Sequence, residues 1–202
     1  MSEKPVRSRQ TLIRFLATDL VLGSLVAFAS IMVAFAAFQS NLASSQQADA
    51  YVEGQMVLSL SNTEFLRANQ DIMQDYTLFD GSVVHANNPE LADYYEDNFS
   101  EELLASLDRP AGPFDDRYYD EMYAEADTTF EEAMDLFDIG HAANKRSDQF
   151  QLAGLIFAVG LALVAWASIL QPERKLRLTF VVMSIFVLTA GILVLVTIYL
   201  LV

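Results

Sequence analysis

"LVLGSLVAFASIMVAFAAF", Leu20 to Phe38, contains no charged residue. A helix needs about 20 apolar residues to cross roughly 30 Å of hydrocarbon, and this run is long enough. Two later runs match it: "LAGLIFAVGLALVAWASIL", Leu152 to Leu170, and "LTFVVMSIFVLTAGILVLVTIYLLV", Leu178 to Val202, also without charge. Three such runs in 202 residues, with a formal net charge of −15, describe a chain divided between lipid and water. The first run has a basic lead (Lys4, Arg7, Arg9, Arg14), and Ala34-Phe35-Ala36 imitates a leader cleavage site. It is longer than the 7–15 apolar residues of a leader, so an uncleaved anchor is expected.

Charge sets the expected orientation. Residues 1–14 carry four Lys/Arg and one Glu, and Gln171 to Arg177 carries three Lys/Arg and one Glu. Between Gln39 and Gln149 there are 24 acidic and five basic residues. Short basic segments stay in the cytoplasm. The layout predicted is a cytoplasmic N-terminus (1–14), a span (15–38), an acidic extracytoplasmic helical domain (39–149), a second span (150–170), a cytoplasmic basic turn (171–177) and a third span (178–202). The C-terminus then lies outside a multi-pass protein of the plasma membrane. Cysteine is absent, so no disulfide braces the outer domain.

Small residues recur along the first run at steps of four and three: Gly23, Ala27, Ser30, Ala34 and Ala37. The register continues through Asn41, Ser44, Ala48 and Tyr51. Such a stripe lets another helix approach closely, and in lipid close packing drives helix association. Its period near 3.5 predicts left-handed supercoiling. Gly154, Ala158 and Ala162 in the second run, with Ser184 and Gly191 in the third, are further packing candidates.

No proline falls between Val6 and Asn88, which predicts one helix running out of the membrane to about Phe79. "DGSVVHANNPE", Asp80 to Glu90, reads as a loop by its Asp-Gly and Asn-Pro steps. Pro89 and Ser100-Glu101-Glu102 suit helix starts, "DRPAGPF" from Asp108 is a break, and helix resumes near Asp115. The fold expected is an all-α membrane protein with three transmembrane helices. Spans one and two extend outward as an antiparallel hairpin, capped by short helices at residues 80–113. Met56, Leu60, Phe65, Ile72 and Leu78 are expected to face Tyr119, Met122, Ala126, Phe130, Ala133 and Phe137 across it.

Chemistry is sparse. "FDDRYYDEMYAEAD" groups carboxylates at helix-surface spacing, without the loop pattern of a calcium site, so a solvated acidic face is expected in preference to specific cation binding. His85 and His141 have no ligand-spaced neighbours. No phosphate loop, nucleophile elbow or metalloprotease helix occurs, so no enzyme, metal or cofactor is expected. The acidic charge disfavours nucleic acid. Asp19, Lys145, Arg146, Asp148, Arg174, Lys175 and Arg177 stand at the ends of the apolar runs and are read as membrane-boundary charges.

"AANKRSDQFQLAG", Ala142 to Gly154, leads into an Ala/Gly-rich span and a short basic turn, and "YVEGQMVLSL" to "FLRANQDI" follows span one. In these stretches and in layout the chain resembles a group of uncharacterised prokaryotic three-span membrane proteins. The resemblance implies topology and no activity. The function expected is that of a structural or accessory membrane protein that self-associates or joins a larger membrane complex. The alternatives are an extracytoplasmic sensor acting through a partner and a subunit of an oligomeric channel.

Overall fold

The computed structural model describes residues 18–171 and 175–200. The predicted cytoplasmic segment 1–14, Arg174 and the last two residues lie outside them. Among the described residues five helices follow in order: α1 (Asp19–Val84), α2 (Pro89–Glu96), α3 (Glu101–Leu107), α4 (Asp116–Ile169) and α5 (Lys175–Leu200). Helices α1, α4 and α5 each hold a stretch long and apolar enough to cross a membrane. The chain divides into two units, unit 1 up to Ala48 and from Gly140 onward, and unit 2 from Asp49 to Ile139.

Unit 1 packs parts of α1, α4 and α5. Its buried positions repeat with a period near 3.5. On α1 they include Leu22, Ala29, Ala36 and Ala43, with Ser40. On α4 they include Phe150, Phe157 and Val164, with Ala153 and Ala167. On α5 they step by four and three through Val181, Ser184, Leu188, Gly191, Leu195 and Ile198. A period of seven keeps one face toward a neighbour crossing at about 20°. Large residues lie over glycines: a Cβ on Gly191 would sit 2.8 Å from the Phe157 ring, and one on Gly160 would sit 2.6 Å from Leu188. That is how thin backbones meet bulky side chains without voids.

In unit 2 the contacts run in opposite chain directions. Gly54 meets Phe137, Ser61 bonds the Ala126 carbonyl, Asn69 bonds Tyr123 and Asp75 bonds Tyr118. Buried positions of α1 here include Gly54, Ser61, Ala68, Asp75 and Ser82, spaced every seventh residue, with Ala50 and Ile72 buried beside them. Ile72, Phe99, Leu103 and Tyr118 form the apolar cluster, with Tyr76, Phe79 and Phe114 against it.

Two sequence expectations change here. Met56, Leu60, Phe65 and Phe130 do not fill the core; they are 67%, 52%, 49% and 47% exposed. Small residues occupy the seam instead, because Met56 and Leu60 lie on the side of α1 away from Gly54 and Ser61. Helix α1 also continues past Phe79 to Val84, through the Asp-Gly step read as a turn. Gly81 serves close packing there, since a Cβ would lie 2.6 Å from the Tyr95 ring. The chain does break at the predicted "DRPAGPF", where Gly112 (φ 87°) and Phe114 (φ 63°) take left-handed backbone.

Candidate functional site

The packing candidates fall into two sets. Gly23, Ala27, Ser30, Ala34 and Ala37 are all exposed in the single chain, beside the buried Leu22, Ala29 and Ala36. Among the described residues no atom outside Gly23's own stretch of helix backbone lies within 4 Å of where its Cβ would be. By contrast Ser184 is buried and donates to the Gly160 carbonyl at 2.9 Å, and Gly191 holds Phe157. Gly154 lies 3.4 Å (from an ideal Cβ) from Ala36, while Ala158 and Ala162 are exposed. Ala37 and Gly154 line one groove with Ser40 and Asn41. Ala162 lines an apolar one with Trp166 and Phe180.

The boundary charges separate in the same way. Arg177 is 2% exposed, donates to the Leu170 carbonyl at 3.1 Å and bonds Asp19 at 2.5 Å. Asp19 itself is open to its surroundings. This one guanidinium therefore ties the start of α1 to the α4–α5 turn. The Arg146 guanidinium stands 5.8 Å above the Phe150 ring. Lys145, Asp148 and Lys175 are exposed, and among the described residues no ion pair joins Asp148 to Lys145.

Hydroxyls close the seam between α1 and α4 in unit 1. The buried Ser147 Oγ lies 3.0 Å from Ser40 Oγ and 2.8 Å from Ser44 Oγ, and Gln151 donates to it at 3.3 Å. In an apolar setting each such interhelical bond is worth about 0.6 kcal/mol. Gln39 adds a bond to Tyr199 at 2.9 Å.

The polar centre of unit 2 is Asp75, 2% exposed. Its carboxylate accepts from the Ser100 amide at 3.1 Å, from the Ser100 hydroxyl and from Tyr118 Oη at 2.8 Å. Ser100 is also the N-cap of α3, accepting from the Leu103 amide at 3.0 Å. One carboxylate thus joins α1, the start of α3 and the start of α4. Burial, then the bond to Asp75, pushes the Tyr118 phenol well above its ordinary value. Next to it Tyr76 and Tyr119 share a hydroxyl–hydroxyl bond, which with burial pushes Tyr119 up to about 12.

The turn before α4 is held by Arg109, which donates to Asp115 at 2.9 Å and to Glu121 at 2.6 Å. Asp115 caps α4 by accepting the Tyr118 amide at 2.9 Å. Arg109, then Arg117, holds Glu121 below its ordinary value. Burial works to raise the Asp115 carboxyl, but the Tyr118 amide and Arg109 outweigh it and leave it lowered. The bond to Glu121 lifts Arg109 in turn.

Asp75 and Ser147 escaped the sequence reading, although both lie in the seven-residue register of small and polar residues. The acidic residues Glu64, Asp71, Glu102, Glu121 and Glu125 border a groove in unit 2 with Arg67. Among the described residues no three His, Asp or Glu side chains converge to hold a metal ion. Set against protein-family models, curated proteins and solved structures, the chain finds no match in any of the three.

Proposed function

We propose that this is a non-enzymatic structural or accessory protein of the plasma membrane, which self-associates or joins a larger membrane complex through its helices. In this reading α1, α4 and α5 supply three spans. The basic N-terminal segment and the Gln171–Arg177 turn face the cytoplasm, and unit 2 and the C-terminus lie outside. Within unit 2, α1 and α4 form an antiparallel hairpin with α2 and α3 at its tip. Topologically this is the layout of the three-span group that the chain resembles.

The observation that carries the reading is how little apolar surface the chain covers by itself. In the most apolar windows of α1, α4 and α5 only 17%, 28% and 33% of residues are buried. Water would not tolerate such faces, and lipid or neighbouring helices would cover them. Lipid alone suffices for a bulky face. The exposed Gly23, Ala27, Ser30, Ala34 and Ala37 gain by close contact with another helix, which lipid chains reproduce poorly. The polar clusters support a structural role, since Asp75, Arg109 and Ser147 spend their bonds on joining helices.

The test is extraction from its membrane in native nanodiscs, followed by native mass spectrometry. Particles holding two or more copies, or one copy with another membrane protein, are expected. A homogeneous single chain without companion would remove the proposal.

A further inference from the structure

The acidic residues of unit 2 are unevenly placed. On α4, Asp116, Asp120, Glu125, Asp127, Glu131, Glu132, Asp135 and Asp138 are all exposed. On α1, no exposed carboxylate occurs between Glu53 and Asp80; Glu64, Asp71 and Asp75 in that interval are half-buried or buried. The one charged residue fully out on that stretch is Arg67. The face opposite the Gly54–Ser61–Ala68–Asp75 seam instead carries Val52, Met56, Leu60, Leu66 and Met73, between 52% and 67% exposed. Among them stand Ser59, Thr63, Gln70, Gln74 and Thr77. The hydroxyls of Thr63 and Thr77 donate to the carbonyls of Ser59 and Met73 on their own helix, at 3.0 and 2.9 Å. Bonded to their own helix, these hydroxyls need no water.

Resting on the membrane reading above, we propose that this acid-free face of α1 is where a second copy of the same chain docks, its α1 parallel to the first. Two copies in one membrane point the same way, so a two-fold axis along the helix brings each height of α1 against itself. Any carboxylate there would face its own image. Met56, Thr63, Gln70 and Thr77 lie on the centre line and are uncharged; the exposed Asp49, one heptad before Met56, marks where the acid-free face ends. On the outer face of α4 a partner copy would meet its own row of carboxylates, which costs association. The five apolar side chains expose roughly 450 Å² together, and the polar side chains among them bring the face near the ~800 Å² per partner of an ordinary stable interface.

The natural chain has no cysteine, so single cysteines report cleanly. Thr63→Cys, Gln70→Cys and, as the acidic-side control, Glu131→Cys would be oxidised in native membranes and run on non-reducing gels. A disulfide needs Cα atoms closer than about 7 Å, so only residues near the axis can form one. Dimer bands are expected for Thr63→Cys and Gln70→Cys and not for Glu131→Cys. Adding Leu66→Glu and Met73→Glu to Thr63→Cys is expected to cut the band at least tenfold. Both sites are exposed, so the fold survives, which circular dichroism checks.

Dimer bands from Glu131→Cys alone would overturn the inference. So would the absence of any band from particles that mass spectrometry shows to hold two copies, which leaves self-association standing on another surface. Particles pairing one copy with a different protein overturn it too, while keeping the accessory role. A bare monomer refutes both.

Discussion

Asp75→Ala is the sharpest test of how unit 2 is held together. The substitution removes a buried acceptor and leaves the Tyr118 hydroxyl, the Ser100 amide and the Ser100 hydroxyl without their partner. A bond to a charged group contributes about 1.5–3 kcal/mol, and a buried donor left unpaired costs about 1–3 kcal/mol. Three bonds would suggest more than 5 kcal/mol. The wild-type carboxylate, however, already bears the cost of leaving water, several kcal/mol that alanine does not incur. The Ser100 hydroxyl can also turn back to its own backbone. The net expectation is about 3 kcal/mol, a factor near 150 in the local opening equilibrium. The loss should appear first where Ser100 caps α3. Hydrogen exchange followed by mass spectrometry would therefore show peptides covering 101–107 and 116–123 exchanging about a hundredfold faster. Peptides around 150–167 in unit 1 should be unchanged. Ser100→Ala alone should cost about 1 kcal/mol as a lost cap, and the double variant should cost less than the sum. If Asp75→Ala shifts exchange in 101–107 by less than about threefold, the carboxylate does not hold these helices and the reasoning fails.

Other outcomes follow from the same geometry. Glu121 and Asp115 are held below their ordinary values, so the stability they supply is full at neutral pH and drains away as pH falls through those lowered values. A thermal melt series should show the acid loss flattened in Arg109→Ala. Tyr119 is raised to about 12, so its contribution is complete below pH 10 and lost as pH climbs through 12; absorbance near 295 nm should show Tyr118 and Tyr119 ionising only above the ordinary phenol range. Gly191→Val should cost about 1–3 kcal/mol by forcing Phe157 aside. Gly23→Leu should leave the single chain intact yet lower the mass of the native particle if the small-residue face is used; an unchanged particle would exclude that face.

The three apolar helices were legible because absence of charge over a long run is a local property. The face each helix buries was not. Along Leu20–Phe38 nearly every residue is small or apolar, so the stripe from Gly23 and the stripe from Leu22 look alike, and only the positions of α4 and α5 choose between them. In unit 2 the eye goes to Met56 and Leu60, yet close packing of α1 on Phe137 and Tyr123 selects glycine, serine and alanine. That register was readable, with Gly54, Ser61, Ala68 and Ser82 at intervals of seven. Asp75 falls in the same series, and its meaning depends on Tyr118, 43 positions away, which no local pattern supplies.

The Asp19–Arg177 bond spans 158 positions. A ribosome works from the N-terminus at roughly 5–20 residues per second, so Asp19 waits about 8–30 s before its partner has been made. During that interval Asp19 stands without Arg177, while unit 2, contiguous in sequence, already has every residue it needs. Helix α5 thus completes a latch that α1 offers from the start, and a truncation before Arg177 would leave Asp19 without this partner.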